Sequence, residues 1–248
     1  ILRDRRFGRQ ILHVATRAEL GWPPPRADLQ PFYDVDNLTL LALEPPDHTR
    51  LRSLVHKAFT GRQIERLRGR IAALSHALVD AIEPHHETDL LTTFATPIPV
   101  TVIAEMLGVP TSMNAHLLDW SHAMVGMYEL ARTPAQEQAA VRATQEFVAY
   151  LRDYVERRRS APEDDLISVL LAAEEEGERL TEDELIATCI QLLNAGHEAT
   201  VHVIGNGVLA LLQHPAQLAR LRSQPALIAS AVEELMRYDP PLHLFTRW

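Results

Sequence analysis

The residues best suited to chemistry lie in the middle of a long apolar segment, residues 185–212, whose centre at 195–200 reads AGHEAT. Glycine inside a helix costs roughly 1 kcal/mol relative to alanine, and a buried carboxylate without a partner costs more. Packing alone therefore gives no reason to place Gly196, Glu198 and Thr200 together. We expect a group to lie close enough to need the missing side chain, and to be polar enough to use Glu198 and Thr200.

The small residues of this segment recur on shared helix faces. Gly196 and Thr200 are four residues apart, and so are Ala195 and Ala199, as the sequence shows. Residues at this spacing are neighbours on a helix surface. Such a stripe lets a flat, bulky group approach the backbone, but it also suits a crossing with a second helix. Glu198 and Thr200 favour the flat group, because a plain crossing does not need them.

Histidines near the same segment raise the question of a metal site. The zinc protease motif has two histidines four residues apart on one helix face. His197 and His202 are five apart, which turns them about 140° from each other. Residues 85–87, His-His-Glu, follow a proline and are typical of a solvated turn. The sequence therefore predicts no metal held by side chains of this chain alone.

A second pair of polar residues, His48 and Arg52, follows the segment Glu-Pro-Pro-Asp at 44–47. Their spacing of four puts both on one helix face. Since both are hydrogen-bond donors, together they can grip an anionic group such as a carboxylate. The alternative is an ordinary solvated basic face, because Arg50 and Lys57 are nearby.

A third pair, Glu234 and Arg237, is spaced for an ion pair within one helix. Most such pairs lie on the surface and stabilise little. The apolar residues around this one, Leu235 among them, indicate a partly buried pair. Arg247 follows in a segment that we expect to be extended.

The elements around these residues predict a mainly α fold. Helices are expected over 48–58, from 60 or 61 to 82, and over 100–107, 112–129, 134–159, 164–176, 182–213, 215–222 and 226–238. Residues 21–46, rich in proline, are expected to be mostly irregular. Thr181 and Glu184 form a capping box before the longest helix, and Pro215 ends it. At about 48 Å and apolar on nearly all sides, that helix should run through the middle of the domain.

Composition excludes several classes of function. The chain has 248 residues, of which 46% are hydrophobic and only 6% aromatic, which favours a helical core over a β-sandwich. A net charge of −9, with basic residues among acidic ones, argues against a nucleic-acid partner. The uninterrupted apolar runs are too short to span a membrane, so no membrane partner is expected. The single Cys189 rules out a disulfide framework and indicates a cytoplasmic protein.

In their order along the chain, these motifs resemble those of the bacterial cytochrome P-450 family, the haem-thiolate monooxygenases. Residues 44–52, EPPDHTRLR, followed by AFT at 58–60, resemble that family's C helix. Residues 195–198, AGHE, resemble its central I helix, and ELMR at 234–237 resembles the ExxR motif of its K helix. The resemblance covers nearly the whole chain, and the order of the motifs is more specific than any one of them.

The resemblance implies that haem is the cofactor and assigns roles to the polar pairs. Residues at the positions of His48, Arg52 and Arg247 hold the haem propionates in this family. Glu234 and Arg237 correspond to a structural lock behind the haem that does not contact substrate. We therefore expect His48 and Arg52 to point toward the region of residues 195–200, with Arg247 converging there.

The resemblance also assigns the middle of the long helix. Ala195, Gly196 and Ala199 would lie along the porphyrin, with Gly196 leaving room for substrate and oxygen. Glu198 and Thr200 would be the catalytic pair that helps to deliver protons. The family usually places threonine directly after the acidic residue, whereas this chain has Ala199 there and Thr200 next, about 100° further round the helix.

The implied activity is the insertion of one oxygen atom from O2 into a small apolar substrate. Electrons would come from a ferredoxin-type donor with its NAD(P)H-dependent reductase. The chain is expected to be a partial domain, residues 1–248, running from about the B helix to just past the K helix. The N-terminal strands and the loop with the iron-ligating cysteine would lie outside it, so this portion alone is expected to be inactive.

Cys189 is not expected to replace that ligand. It lies seven residues before Gly196, about 10 Å along the helix, among apolar neighbours where a cysteine acts as a small hydrophobe.

Two other functions remain as alternatives. One is a haem-free relative that binds and activates a partner enzyme, which would have no use for His48, Arg52, Gly196, Glu198 and Arg247. The other is a helical scaffold of unrelated fold, which leaves the glycine and the glutamate of the long helix unexplained.

Overall fold

A computed structural model of the protein describes residues 8, 10–12, 15–58, 61–83, 86–175 and 177–242. The elements are almost entirely helical, as the sequence predicts. The α-helices of these residues are α1 (Gln30–Asp36), α2 (Asp47–Ala58), α3 (Gly61–Asp80), α4 (Pro97–Leu107), α5 (Asn114–Val125), α6 (Pro134–Ser160), α7 (Leu166–Ala172), α8 (Glu182–Gln213), α9 (Pro215–Ser223) and α10 (Ile228–Tyr238). Two short strands, β1 (Glu174–Glu175) and β2 (Glu178–Arg179), pair as an antiparallel hairpin.

The described residues form two compact units. The first takes the chain up to Arg66 and then Ile103–Asn194, and the second takes Leu67–Val102 and the described residues from Ala195 to Leu242. Helix α8 begins in the first unit and ends in the second. The single partial domain expected from the sequence stays a prediction.

The bounds of α8 agree with the predicted 182–213, because both end signals act as expected. The backbone N–H of Thr181 donates to Oε2 of Glu184 at 2.8 Å, and the N–H of Glu184 donates to Oγ1 of Thr181 at 3.2 Å. This reciprocal pair satisfies two of the amide groups that have no partner at a helix start. Pro215 begins α9, two residues beyond the end of α8.

The core of the first unit includes the packing of α5 on α6, where the Trp120 ring stacks on Phe147 with centroids 5.0 Å apart. The first half of α8 is also buried, which agrees with an apolar helix inside the protein. Its buried residues include Glu184, Leu185, Ile186, Ala187, Thr188, Cys189, Ile190 and Leu193.

A buried polar cluster ties α4, α6 and α7 together in the first unit. Nε of Arg158 donates to Oδ2 of Asp165, and its Nη2 donates to the Tyr154 hydroxyl at 2.8 Å. The carbonyl of Gly108, which closes α4 with a φ of +79°, accepts from Tyr154 and, at 3.3 Å, from Arg158. Asp165 also accepts from the N–H of Ser168 at 2.8 Å and so caps α7.

Residues 21–46 are mostly irregular, as the sequence predicts, but they also contain a 3-10 turn over Ala27–Leu29 and then α1. Proline inside a helix usually breaks it, but Pro31 lies in the first turn of α1. There its missing N–H is no loss and its fixed φ suits the helix. The Phe32 side chain is buried and anchors the turn.

The predicted helix over 164–176 is too long at its end. Helix α7 stops at Ala172, and β1 and β2 follow. Gly177 has a φ of +83°, the left-handed conformation that a tight turn between strands requires. Nη2 of Arg179 lies 2.5 Å from Oε2 of Glu174 across the pair.

None of the helices in the described part of the chain has both the length and the hydropathy that crossing a membrane requires.

Candidate functional site

The middle of α8 differs from its buried first half. Ala195, Ala199 and Thr200 are exposed, and Glu198 is about one-fifth exposed, whereas His197 is buried. A helix whose first half is buried thus presents small side chains and a hydroxyl at its centre. The group that would cover this stripe stays a prediction.

Within this stripe, Thr200 donates its hydroxyl to the backbone carbonyl of Gly196 at 2.8 Å. The predicted shared face of these two residues is therefore confirmed. A threonine oxygen has two lone pairs, so the hydroxyl can still accept a hydrogen bond while it donates to Gly196.

Glu198 lies between two histidines of the same helix. Its Oε1 is 3.5 Å from Nε2 of His197, and its Oε2 is 3.9 Å from Nε2 of His202. His197 is buried and His202 is about half exposed. Three titratable groups of graded exposure thus follow one another along the second unit's part of α8.

The helix-crossing alternative applies further along α8, within the second unit. A Cβ on Gly205 would lie 2.7 Å from Cδ2 of Leu91, and a Cβ on Gly207 would lie 3.0 Å from Cδ1 of Leu235. These two glycines permit close packing with neighbouring apolar side chains.

His48 and Arg52 share one face of α2, as predicted. His48 is half-buried and Arg52 is exposed. Among the residues that the structure describes, neither side chain has a hydrogen bond or ion pair, so both keep their donors for another group. They belong to the first unit and residues 195–200 to the second. Their expected convergence on those residues stays a prediction.

Arg50 of the same helix behaves differently, and no local sequence pattern distinguishes it from its neighbours. Its guanidinium is paired with the carboxylate of Glu184, the capping residue of α8. Glu184 could be recognised from its capping box. Its partner could not, since the two residues are 134 positions apart.

The prediction that Glu234 and Arg237 form a partly buried pair is wrong in one respect. They do pair, with Nε and Nη2 of Arg237 each 2.7 Å from a carboxylate oxygen. However, the side chains are 58% and 70% exposed. Leu235 and Val232 are neighbours in sequence but lie about 100° and 160° from Glu234 around the helix. Their apolar character therefore does not bury the pair. Within the pair, the pKa of Glu234 is lowered and that of Arg237 raised by their mutual hydrogen bonds.

The predictions for Cys189 and for Arg247 have different outcomes. Cys189 is fully buried, and burial raises the pKa of its thiol to about 12. A neutral buried thiol agrees with the predicted structural role. Arg247 lies outside the described residues, so its propionate role stays a prediction.

Comparison with known proteins places these motifs in a family. A family model described as Cytochrome P450 matches residues 23–225. Cytochrome P450 CYP107DY1 of Priestia megaterium is 43% identical over 209 residues, which are 84% of this chain and 50% of that protein. The polyketide biosynthesis cytochrome P450 PksS of Bacillus subtilis is 40% identical over an alignment of 250 positions, which covers 100% of this chain and 59% of that protein. The chain thus spans 50% and 59% of these two relatives.

Solved structures show the same likeness. Myxobacterial cytochrome P450 CYP267B1 in complex with myristic acid has a TM-score of 0.86 at 40% identity, covering 100% of this chain and 60% of that one. P450BioI in complex with an acyl carrier protein ligated to hexadec-9Z-enoic acid has a TM-score of 0.83 at 36% identity. The match covers 88% of this chain and 56% of that one.

Proposed function

The chain belongs to the cytochrome P450 family, and on that premise we propose that the full-length protein is a haem-dependent monooxygenase. In the proposed reaction, one atom of O2 enters a C–H bond of an apolar substrate. The other atom leaves as water, with two protons and two electrons. When bound, haem supplies the oxidative chemistry, and the protein supplies binding, orientation and protons.

The observation that carries this proposal is the exposed stretch of small residues in the middle of α8. Ala195 and Ala199 are exposed where the first half of the helix is buried, and small side chains suit the flat face of a porphyrin. We assign Ala195, Gly196 and Ala199 to that contact. Glu198 and Thr200 are assigned to proton delivery, with the acid as donor and the hydroxyl as a hydrogen-bond relay.

The donors of α2 also fit haem. His48 and Arg52 have donor groups without protein partners among the described residues, and such a pair suits a carboxylate. We assign them, together with Arg247, to the haem propionates. Glu234 and Arg237 are assigned a structural role.

The relatives suggest where to look for a substrate. CYP267B1 is bound to myristic acid and P450BioI to an acyl carrier protein bearing a fatty acid, while PksS is named for polyketide biosynthesis. We propose an apolar acyl or polyketide chain as the substrate class. A ferredoxin-type donor with an NAD(P)H-dependent reductase would supply the electrons, and the single free cysteine suits a cytoplasmic setting.

The test uses the full-length protein with a ferredoxin, its reductase, NADPH and myristic acid as the probe substrate. We expect the purified protein to contain haem and the product to carry one ¹⁸O atom when the reaction runs under ¹⁸O2. Label from H2¹⁸O instead of ¹⁸O2 would contradict a monooxygenase. Purification without haem would favour the haem-free partner protein, an alternative that relatives named as monooxygenases do not favour.

A further inference from the structure

Basic side chains lie on both sides of the buried face of α2. That face consists of three aliphatic residues, Leu51, Leu54 and Val55. With about 100° per residue, His48 and Arg52 fall on one side of it and Arg50 on the other. A contact made by Arg50 can therefore fix the rotation of α2 without obstructing His48 and Arg52.

The contact made by Arg50 is an ion pair with Glu184, and it is partly buried. Nη2 of Arg50 binds Oε1 of Glu184, and Nη1 lies 3.5 Å from Oε2. The side chains are 29% and 10% exposed. Burial tends to raise the pKa of Glu184, but hydrogen bonds from Arg50 and from the N–H of Thr181 outweigh it, and the pKa lies below its usual range. Glu184 is thus held as a carboxylate.

Glu184 is a fixed partner because it also caps α8. Its carboxylate accepts from the N–H of Thr181 at 2.8 Å while it binds Arg50. A carboxylate held from both sides has little freedom to follow a moving guanidinium. Arg50 is therefore attached to a set point on the first turn of α8.

A second attachment lies two turns further along α8. Oε1 of Gln191 accepts from the backbone N–H of Leu40 at 2.8 Å, in the segment that leads into α2. Gln191 and Glu184 are seven residues apart and therefore lie on nearly the same face of α8. The chain from Leu40 through Arg50 is held at two points along one helix face.

We infer that Arg50 is a positioning residue that sets the rotation of α2 and thereby aims His48 and Arg52 at their anionic ligand. The inference rests on the proposed function, in which that ligand is a haem propionate. Side chains of a helix extend about 5 Å from its axis, so a rotation of about 20° moves their ends by about 2 Å. Hydrogen bonds tolerate only a few tenths of an ångström.

The test measures haem loss from the full-length holoenzyme by transfer to an excess of apomyoglobin. Arg50→Gln should accelerate haem loss about tenfold, in the range seen for residues that orient a ligand through another residue. Arg152→Gln is the matched control. Arg152 also pairs with the first turn of α8, at 3.0 Å to Glu182 and 2.7 Å to Asp183, but it comes from α6 and should change the rate less than about twofold.

Comparing the effect of Arg50→Gln in the wild type and in His48→Ala/Arg52→Ala separates a positioning role from a general destabilisation of the protein. In His48→Ala/Arg52→Ala, haem loss should already be fast, and adding Arg50→Gln should change it little, since coupled residues are not additive. An equal acceleration in both backgrounds, or none in the wild type, would overturn the inference. If His48→Ala/Arg52→Ala leaves haem loss unchanged, the propionate assignment fails and the inference fails with it. If that variant loses haem quickly while Arg50→Gln does not, only the inference fails. Should Arg50→Gln not fold, Arg50→Lys keeps the charge without the paired donors and gives the same comparison.

Discussion

Thr200 donates to the carbonyl of Gly196, one turn back in α8, at 2.8 Å. Such a bond to the preceding turn slightly destabilises a helix and often bends it. The hydroxyl keeps its capacity to accept. In this chain the hydroxyl thus stands one residue beyond the family's usual threonine, held by the glycine of the same motif.

This geometry predicts what replacing Thr200 would do. Thr200→Val keeps the shape and removes the donor, so we expect a change in the free energy of unfolding of less than about 0.5 kcal/mol, because the residue is exposed. The share of NADPH consumption that ends in hydroxylated product should fall, with more hydrogen peroxide released. Thr200→Ser keeps the hydroxyl and should keep most of the coupling. Unchanged coupling in Thr200→Val would remove Thr200 from proton delivery.

Glu198 is expected to act as an acid rather than as a structural group. Glu198→Gln preserves size and should lower the turnover number about 100-fold while haem content stays the same. Glu198→Asp retains the carboxylic acid and should lose less. Turnover, haem absorbance and thermal unfolding are measured on the same preparations. A loss of haem in Glu198→Gln that matches its loss of turnover would point to a structural role instead.

Arg158 and Asp165 form a buried ion pair that should stabilise the first unit. The Arg158 side chain is 11% and that of Asp165 4% exposed, and removing one partner of a buried pair costs about 3–5 kcal/mol. Asp165→Asn is expected to lower the free energy of unfolding by about that amount in urea titrations. The control is Arg179→Gln, which breaks an exposed pair with Glu174 at 2.5 Å and should cost less than about 0.5 kcal/mol. Equal effects of the two variants would mean that burial does not govern this pair.

Cys189 should not react with thiol reagents in the folded protein. Its pKa, raised by burial to about 12 from an ordinary 9.0, keeps the thiol protonated, so iodoacetamide should label it only after unfolding. Peptide mass spectrometry reads the label at this position. Between pH 9 and 12 the unfolded state releases the thiol proton while the folded state retains it. The Cys189 contribution to the free energy of unfolding is therefore complete below pH 9 and declines as the pH rises.

The same residue gives a spectroscopic test. If the iron ligand is another cysteine of the full-length protein, Cys189→Ser should leave the thiolate-type band of the reduced carbon-monoxide difference spectrum unchanged. Disappearance of that band in Cys189→Ser would make Cys189 the ligand after all.

The bounds of α8 could be predicted from residues close to its ends. Contacts between residues distant in sequence could not be predicted. Thr181, Glu184 and Pro215 act within a few residues of the helix ends, so their effect could be worked out from spacing. The failure at Glu234 came from treating sequence neighbours as spatial neighbours, although adjacent residues point about 100° apart on a helix. The pairing of Arg50 depends on how α2 docks, and no local pattern encodes that.

Part of the candidate site could likewise be predicted from local sequence, and part could not. The shared faces of Gly196 with Thr200 and of His48 with Arg52 follow from helix geometry alone. Helix α1 was not predicted, because the prolines of residues 21–46 indicate irregular backbone as a group, whereas the position of each proline within a helix decides whether it breaks or starts that helix.

The change of environment along α8 has a consequence for how its residues tolerate substitution. At the buried positions between 185 and 193, a substitution acts mainly through volume and polarity, and any harmful change should reduce the amount of folded protein. At Ala195, Ala199 and Thr200 the side chains are exposed, so a larger residue should leave the amount of protein unchanged and alter only what the protein can accommodate. A mutational scan that scores abundance and catalysis separately should therefore find the two scores correlated in the first half of one helix and independent at its centre.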